Sequence, residues 1–229
     1  MTMARHDALK TLYPFLHGAE QSAGLDGALL RSVQSKAAES RDASERFFTE
    51  NAEAIVSAAR SIAQVFRTGG RLFCMGNGGS SCDAAHVAVE FLHPVTAGRP
   101  ALPAINLAAD IAMMSAVGND VGFEHVFVRQ LVAQARKGDG LIGISTSGNS
   151  QNLLAAFVKA KELGLLTIGL TGGDGGRMKS AGTVDHCFVV PSESIHRIQE
   201  CHVAAYHILW DLVHSLLADD RSPSVRDAR

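Results

Sequence analysis

The chain has 229 residues, 46% of them hydrophobic and 19% charged, with a formal charge of −2. That composition suits one sizeable α/β domain, alone or with a helical appendage; it gives no electrostatic reason for a nucleic-acid partner, and no apolar run reaches the length of a membrane span. The opening residues, MTMARHDALKTLYPFLHG, lack the apolar stretch and cleavage site of a secretory signal, and the four cysteines form neither a CxxC pair nor a zinc-knuckle spacing, so a reducing cytoplasm is the expected location.

Residues from about 25 to 67 read as helix: Ala, Arg, Glu, Ser and Leu dominate, no glycine or proline follows Gly27, and AIVSAARSIAQVF repeats its apolar residues at helical spacing. The pair Gly69–Gly70 stops it. Short apolar runs then alternate with helical segments. RLFCM (71–75), LPAINL (102–107), LIGIS (141–145), LLTIGL (165–170) and HCFVV (186–190) are the predicted strands. None shows strict polar alternation, which suits strands covered on both faces. Helices are predicted over about 81–92, 122–136, 149–163 and 194–218. This order predicts an α/β fold with a doubly wound, five-stranded parallel sheet flanked by helices. The expected division is an N-terminal helical element over 1–66, a sheet domain over 67–218 and a polar tail over 219–229.

Small ligands bind such folds beyond the carboxyl ends of the strands, so the loops that follow strands carry the interest. GNGGSS (76–81) joins the first strand to a helix. Its glycines allow close backbone approach at a helix N-terminus, but it is neither a dinucleotide fingerprint, since Ser81 stands where a glycine is needed, nor a Walker loop. A tight structural turn explains it equally well. STSGNS (145–150) gathers Ser145, Thr146, Ser147 and Ser150 at a helix start. Capping needs one such hydroxyl; four favour a phosphate site. TGGDGG (171–176) reads as structural.

His86 and Glu90 stand one turn apart on the helix after the glycine loop, so they share a face. In the C-terminal helix Gln199, Val203 and His207 form one stripe, continued by Asp211 towards solvent. His86, Glu90, Gln199 and His207 together suit a divalent metal such as zinc, and Glu and His equally suit a general acid/base pair. His6, His17, His125, His186, His196 and His214 read as structural; His202, off the stripe, is left open.

GNGGS followed by DAxHxxxE, then VGND(V)GF at 117–123, GISTSGNS at 143–150, LTGGDGG at 170–176 and RIQExHxxxxH at 197–207 occur in this order. Over roughly residues 45–218 the chain resembles the phosphoheptose isomerases of the sugar isomerase (SIS) superfamily. The resemblance implies a SIS-type fold and isomerisation of sedoheptulose 7-phosphate to a manno-heptose 7-phosphate through a cis-enediolate. It implies substrate contacts from Asn77, Gly78, Gly79, Glu90, Asn119, Asp120 and Gln199, and phosphate contacts from Ser145, Thr146, Ser147 and Ser150. It implies a metal, zinc, on His86, Glu90, Gln199 and His207, with Glu90 and His207 as the catalytic acid/base residues. It further implies a homotetramer with sites built between subunits.

Two departures stand out. The family places a Gly-Arg pair shortly after this glutamate; here Leu92, His93 and Pro94 stand there, and Arg99 is the next basic residue. The stretch 1–25, including LYPFLH, is additional to the pattern. The competing readings are an isomerase of another phosphosugar, which the altered 92–99 segment would select, and a non-catalytic SIS protein of the kind that binds the replication initiator. Such scaffolds lack the acid/base residues, so the presence of Glu90 and His207 favours the enzyme.

Overall fold

The structure, a computed structural model, describes residues 25–219. The additional N-terminal stretch up to Gly24 and the polar tail from Asp220 lie outside the described residues. The chain divides into two units, residues 1–41 and 42–229. The described part of the first is the opening of helix α1 (Leu25–Arg67), where Leu29, Leu30 and Val33 are exposed and the Ser35 hydroxyl donates to Glu39.

In the second unit the remainder of α1 packs into a core. Phe47, Ile55, Ala58, Ile62 and Ala63 are buried at helical spacing. Left-handed Gly69 (φ 78°) then turns the chain, as the glycine pair predicts. There follow β1 (Leu72–Gly76), α2 (Gly79–Leu92), β2 (Ala104–Asn106), α3 (Ile111–Asp120), a 3₁₀ turn (Phe123–His125) and α4 (Val126–Gln134). Then come β3 (Gly140–Ile144), α5 (Gln151–Leu163), β4 (Leu166–Gly172), α6 (Gly176–Ser180), β5 (His186–Val190) and α7 (Ile195–Asp219).

The five strands pair in parallel in the order β2-β1-β3-β4-β5. Every residue of β1 and β3 is buried, as the unalternating apolar runs require of central strands covered on both faces. One core lies between the sheet and α1, α2 and α7; the other lies between the sheet and α4 and α5. The order reverses between β1 and β3, so the loops that follow these two strands open onto the crevice where doubly wound sheets bind ligands. They are GNGGSS and STSGNS.

Local differences from the expectation have local causes. Helix α3 was not predicted: its sequence is apolar without an amphipathic stripe, and its start is set by Asp110, whose carboxylate accepts the Met113 N–H at 2.9 Å. The helix expected over 122–136 shortens to α4, because Gly122 at φ 105° breaks the chain and Ala135 is already extended. Strand β2 keeps only three residues of LPAINL, whereas β4 runs on into the first two residues of TGGDGG. No helix among the described residues is long and apolar enough to cross a membrane.

Candidate active site

The loop after β1 needs glycine twice. A side chain on Gly76 would stand 2.1 Å from the Ser80 carbonyl oxygen, and Gly78, at φ 55°, occupies the N-cap of α2. The Ser81 hydroxyl donates back to the Gly78 carbonyl at 2.6 Å and tightens the turn. Asn77 pairs across the crevice with Asn152 at the start of α5, each amide donating to the other's oxygen at 2.9 Å. This pair ties the loop after β1 to the helix after β3.

Helix α2 is fixed on α7 through Ala84, Val87, Ala88 and Phe91, which share a core with Ile198, Cys201, Ala205 and Leu209. The Trp210 indole N–H donates to the Glu90 carbonyl at 2.8 Å, and His202 on α7, fully buried, reaches the Thr171 carbonyl on β4 at 3.1 Å. A carbonyl only accepts, so His202 Nε2 carries the proton. These ties bring together residues far apart in the chain. His86 Nε2 lies 3.1 Å from Glu90 Oε1, and His207 Nε2 lies 4.0 Å from the same oxygen. One donor atom from each of His86, Glu90 and His207 falls within 4.8 Å of the others, a set that can hold a metal ion. Two imidazoles and a carboxylate, all partly exposed, are a donor set suited to a divalent transition metal. Gln199, on the same stripe of α7, lies against the glycine turn: a side chain on Gly79 would meet its Nε2 at 2.4 Å.

In the STSGNS loop Ser145 is buried, Thr146 and Ser150 are half-buried and Ser147 is exposed. Ser145 and Ser150 share a hydrogen bond of 3.0 Å, so Ser150, although at the N-cap of α5, makes no capping bond there. Capping therefore does not account for the serines. Thr146 and Ser147 line a cavity of about 420 Å³ together with Gly173, Asp174, Glu193 and Ile198. TGGDGG touches the STSGNS loop backbone to backbone: a side chain on Gly148 would meet the Gly175 carbonyl oxygen at 2.1 Å. The same loop also walls the cavity.

A family model described as SIS domain matches residues 37–172. The phosphoheptose isomerase of Chlorobium phaeovibrioides is 47% identical over 176 residues, 76% of this chain and 82% of that protein. That of Aneurinibacillus thermoaerophilus is 42% identical over 172 residues, 75% of this chain and 86% of that one. The chain belongs to the phosphoheptose isomerase family of SIS-domain proteins. The solved phosphoheptose isomerase GmhA of Neisseria gonorrhoeae superposes with a TM-score of 0.76 at 38% identity, covering 82% of this chain and 99% of that one.

His86, Glu90 and His207 are together; Gln199, Gly78 and Gly79 adjoin one another at the turn; the hydroxyl loop borders its own cavity beyond β3 and β4. Asn119 and Asp120 end α3, exposed, with the Asn119 amide donating to Asp120 at 2.8 Å. A second cavity, of about 490 Å³, separates the glycine turn (Asn77, Gly78, Ser81) from α3 at Met114 and Gly118, and neither Asn119 nor Asp120 lines it.

Arg99 is not aimed at the carboxylate of Glu90. Its guanidinium stacks 4.3 Å over the Trp210 ring and donates to Asp211 at 2.5 Å. Two residues that touch the site had escaped the sequence reading. Tyr206 reaches His86 Nδ1 with its hydroxyl at 2.8 Å, and its ring packs against the imidazoles of both His86 and His207. Burial, with the charges of Asp83 and Glu90 adding, pushes its phenol above the ordinary tyrosine range, so it stays a neutral hydroxyl. Asp83, one turn before His86, has its carboxyl raised by burial, with His86 opposing, and its Oδ2 is buried without a hydrogen-bond partner. Tyr206 bonds a residue 120 positions away, so no local spacing could have marked it.

Proposed function

We propose that the chain interconverts sedoheptulose 7-phosphate and D-glycero-D-manno-heptose 7-phosphate as an aldose–ketose isomerase with a zinc ion on His86, Glu90, Gln199 and His207. The observation that carries this reading is the meeting of Glu90 and His207, from helices far apart in the chain, at 4.0 Å. Glu90, mostly covered on its helix, is the base that takes the proton beside the carbonyl and returns it to the neighbouring carbon of the cis-enediolate. His207 moves the second proton between the two oxygens. A zinc ion held by these residues would supply Lewis acidity to polarise the carbonyl and offset the charge that develops on it. Ser145, Thr146, Ser147 and Ser150 hold the phosphate through hydroxyls and the start of α5, while Asn77, Gly78, Gly79, Asn119 and Asp120 orient the sugar. A scaffold would have no use for the paired carboxylate and imidazole.

The assembly we infer is a cytoplasmic homotetramer whose sites are shared between subunits. Exposed Ile111, Val121 and Phe123 around Asn119 and Asp120 offer apolar surface for association to cover, and the four free cysteines fit a reducing compartment. The test is turnover of sedoheptulose 7-phosphate by purified protein, with and without chelator and added zinc, alongside Glu90→Gln and a solution mass. We expect turnover lost on chelation, restored by zinc and abolished in E90Q, in a particle four chains in size. Well-folded protein without turnover under every condition would remove the isomerase reading.

A further inference from the structure

We propose that Tyr206 is a positioning residue for the metal centre, holding the His86 imidazole by its Nδ1 so that Nε2 faces Glu90 and His207. This rests on the metal reading above. A ligating histidine needs its second ring nitrogen tied, because that bond fixes both tautomer and ring orientation. In this chain the tie comes from the opposite helix: the Tyr206 hydroxyl is 2.8 Å from His86 Nδ1, and the ring centroids lie 5.3 Å apart at 72°. The same ring packs 4.8 Å from that of His207, so one side chain supports both imidazoles of the donor set. Tyr206 is itself only 2% exposed, set in the core that joins α2 to α7.

A hydroxyl suits this post better than a carboxylate or a carbonyl would. Without a metal, Glu90 accepts from His86 at 3.1 Å, so Nε2 carries the proton and Nδ1 accepts from the tyrosine O–H. With Nε2 given to a cation, the proton sits on Nδ1 and the same oxygen accepts it. Only a group that both donates and accepts keeps its bond to the ring in both arrangements, so the ring does not have to turn when the metal enters. Phenylalanine fills the same space and can do neither.

The experiment is zinc affinity, measured by competition with a chromophoric chelator, for the full chain, Tyr206→Phe, His86→Ala and the double variant. We expect Y206F to weaken zinc binding by about 10–100-fold while thermal unfolding of the metal-free protein shows it folded. In the H86A background the same substitution should change affinity less than about twofold, because the partner through which it acts is gone. Equal losses in both backgrounds would make Tyr206 a packing residue and overturn the proposal. So would unchanged affinity in Y206F when the unaltered chain binds one zinc. An unaltered chain that binds no zinc would instead refute the metal reading, and this proposal with it.

Discussion

His202 makes the fold sensitive to acid in a way that can be calculated. Its imidazole is fully buried, its Nε2 is spent on the Thr171 carbonyl, and its Nδ1 has no partner. Burial pushes it from 6.5 down to about 4, against the hydrogen bond to Thr171, which favours the charged form. Between those values the unfolded chain binds a proton that the folded chain refuses. Stability therefore falls as the pH drops from about 6.5 to about 4 and is fully present above 6.5. The gap corresponds to a loss of about 3 kcal/mol when complete, with about 2 kcal/mol already lost at pH 5. That is a large share of the roughly 5–15 kcal/mol that holds a typical domain together. The perturbation is His202→Gln, which keeps an amide N–H for Thr171 but cannot titrate. Urea unfolding at fixed protein concentration, at pH 7.5, 6 and 5, should show the unaltered chain losing about 2 kcal/mol more than H202Q over that range. The absolute stability of the variant is irrelevant; the difference in slope carries the result. Parallel pH profiles would refute the reasoning, because the buried imidazole would then not be the group that resists protonation.

Gly79→Ala should separate fold from site: the backbone there is ordinary helix, so stability should shift by about 1 kcal/mol or less, but the new methyl group occupies the place of the Gln199 amide. Turnover and zinc affinity should each fall at least about tenfold, as expected when a polar group at a metal site is displaced, and unchanged values would remove Gln199 from the site. Arg99→Ala should cost about 1–2 kcal/mol of stability through the lost stacking on Trp210, read by thermal unfolding, with kcat within about twofold of the unaltered chain because no contact of Arg99 reaches the reacting groups. A collapse in kcat with unfolding unchanged would mean that Arg99 does the work of the arginine that the family carries after this glutamate.

The sheet was legible because central parallel strands leave an unambiguous signature. Leu72–Gly76 and Gly140–Ile144 are apolar throughout, glycines punctuate their ends, and each expected strand lies within a few residues of its place. Helix α3 was not legible, since periodicity detects a helix with one wet face and Ile111–Asp120 has no regular alternation of wet and dry positions. Its one local signal was Asp110, three residues ahead of the N–H it caps. Strand β2 is shorter than its apolar run, because only Ala104–Asn106 pair with β1.

The site divides along the same line. His86 and Glu90 could be read from a single turn of helix, and the hydroxyls of STSGNS from a single loop, because in each case the chemistry lies within a few residues. Long-range juxtaposition has no such signature. His207 reaches Glu90, Tyr206 reaches His86, and Trp210 ties the Glu90 backbone only because α2 and α7 bury their apolar faces against each other. That same dependence couples the chemistry to the fold. A ligand gripped by His86 and Glu90 on α2 and by His207 on α7 closes a chain loop of more than a hundred residues, so it can bind tightly only when both helices are docked. A cation present at a hundredfold over its dissociation constant would then add about 2.7 kcal/mol to the stability of the docked state. The helix contact that the sequence could not reveal is thus the step at which folding and the assembly of the site become one event.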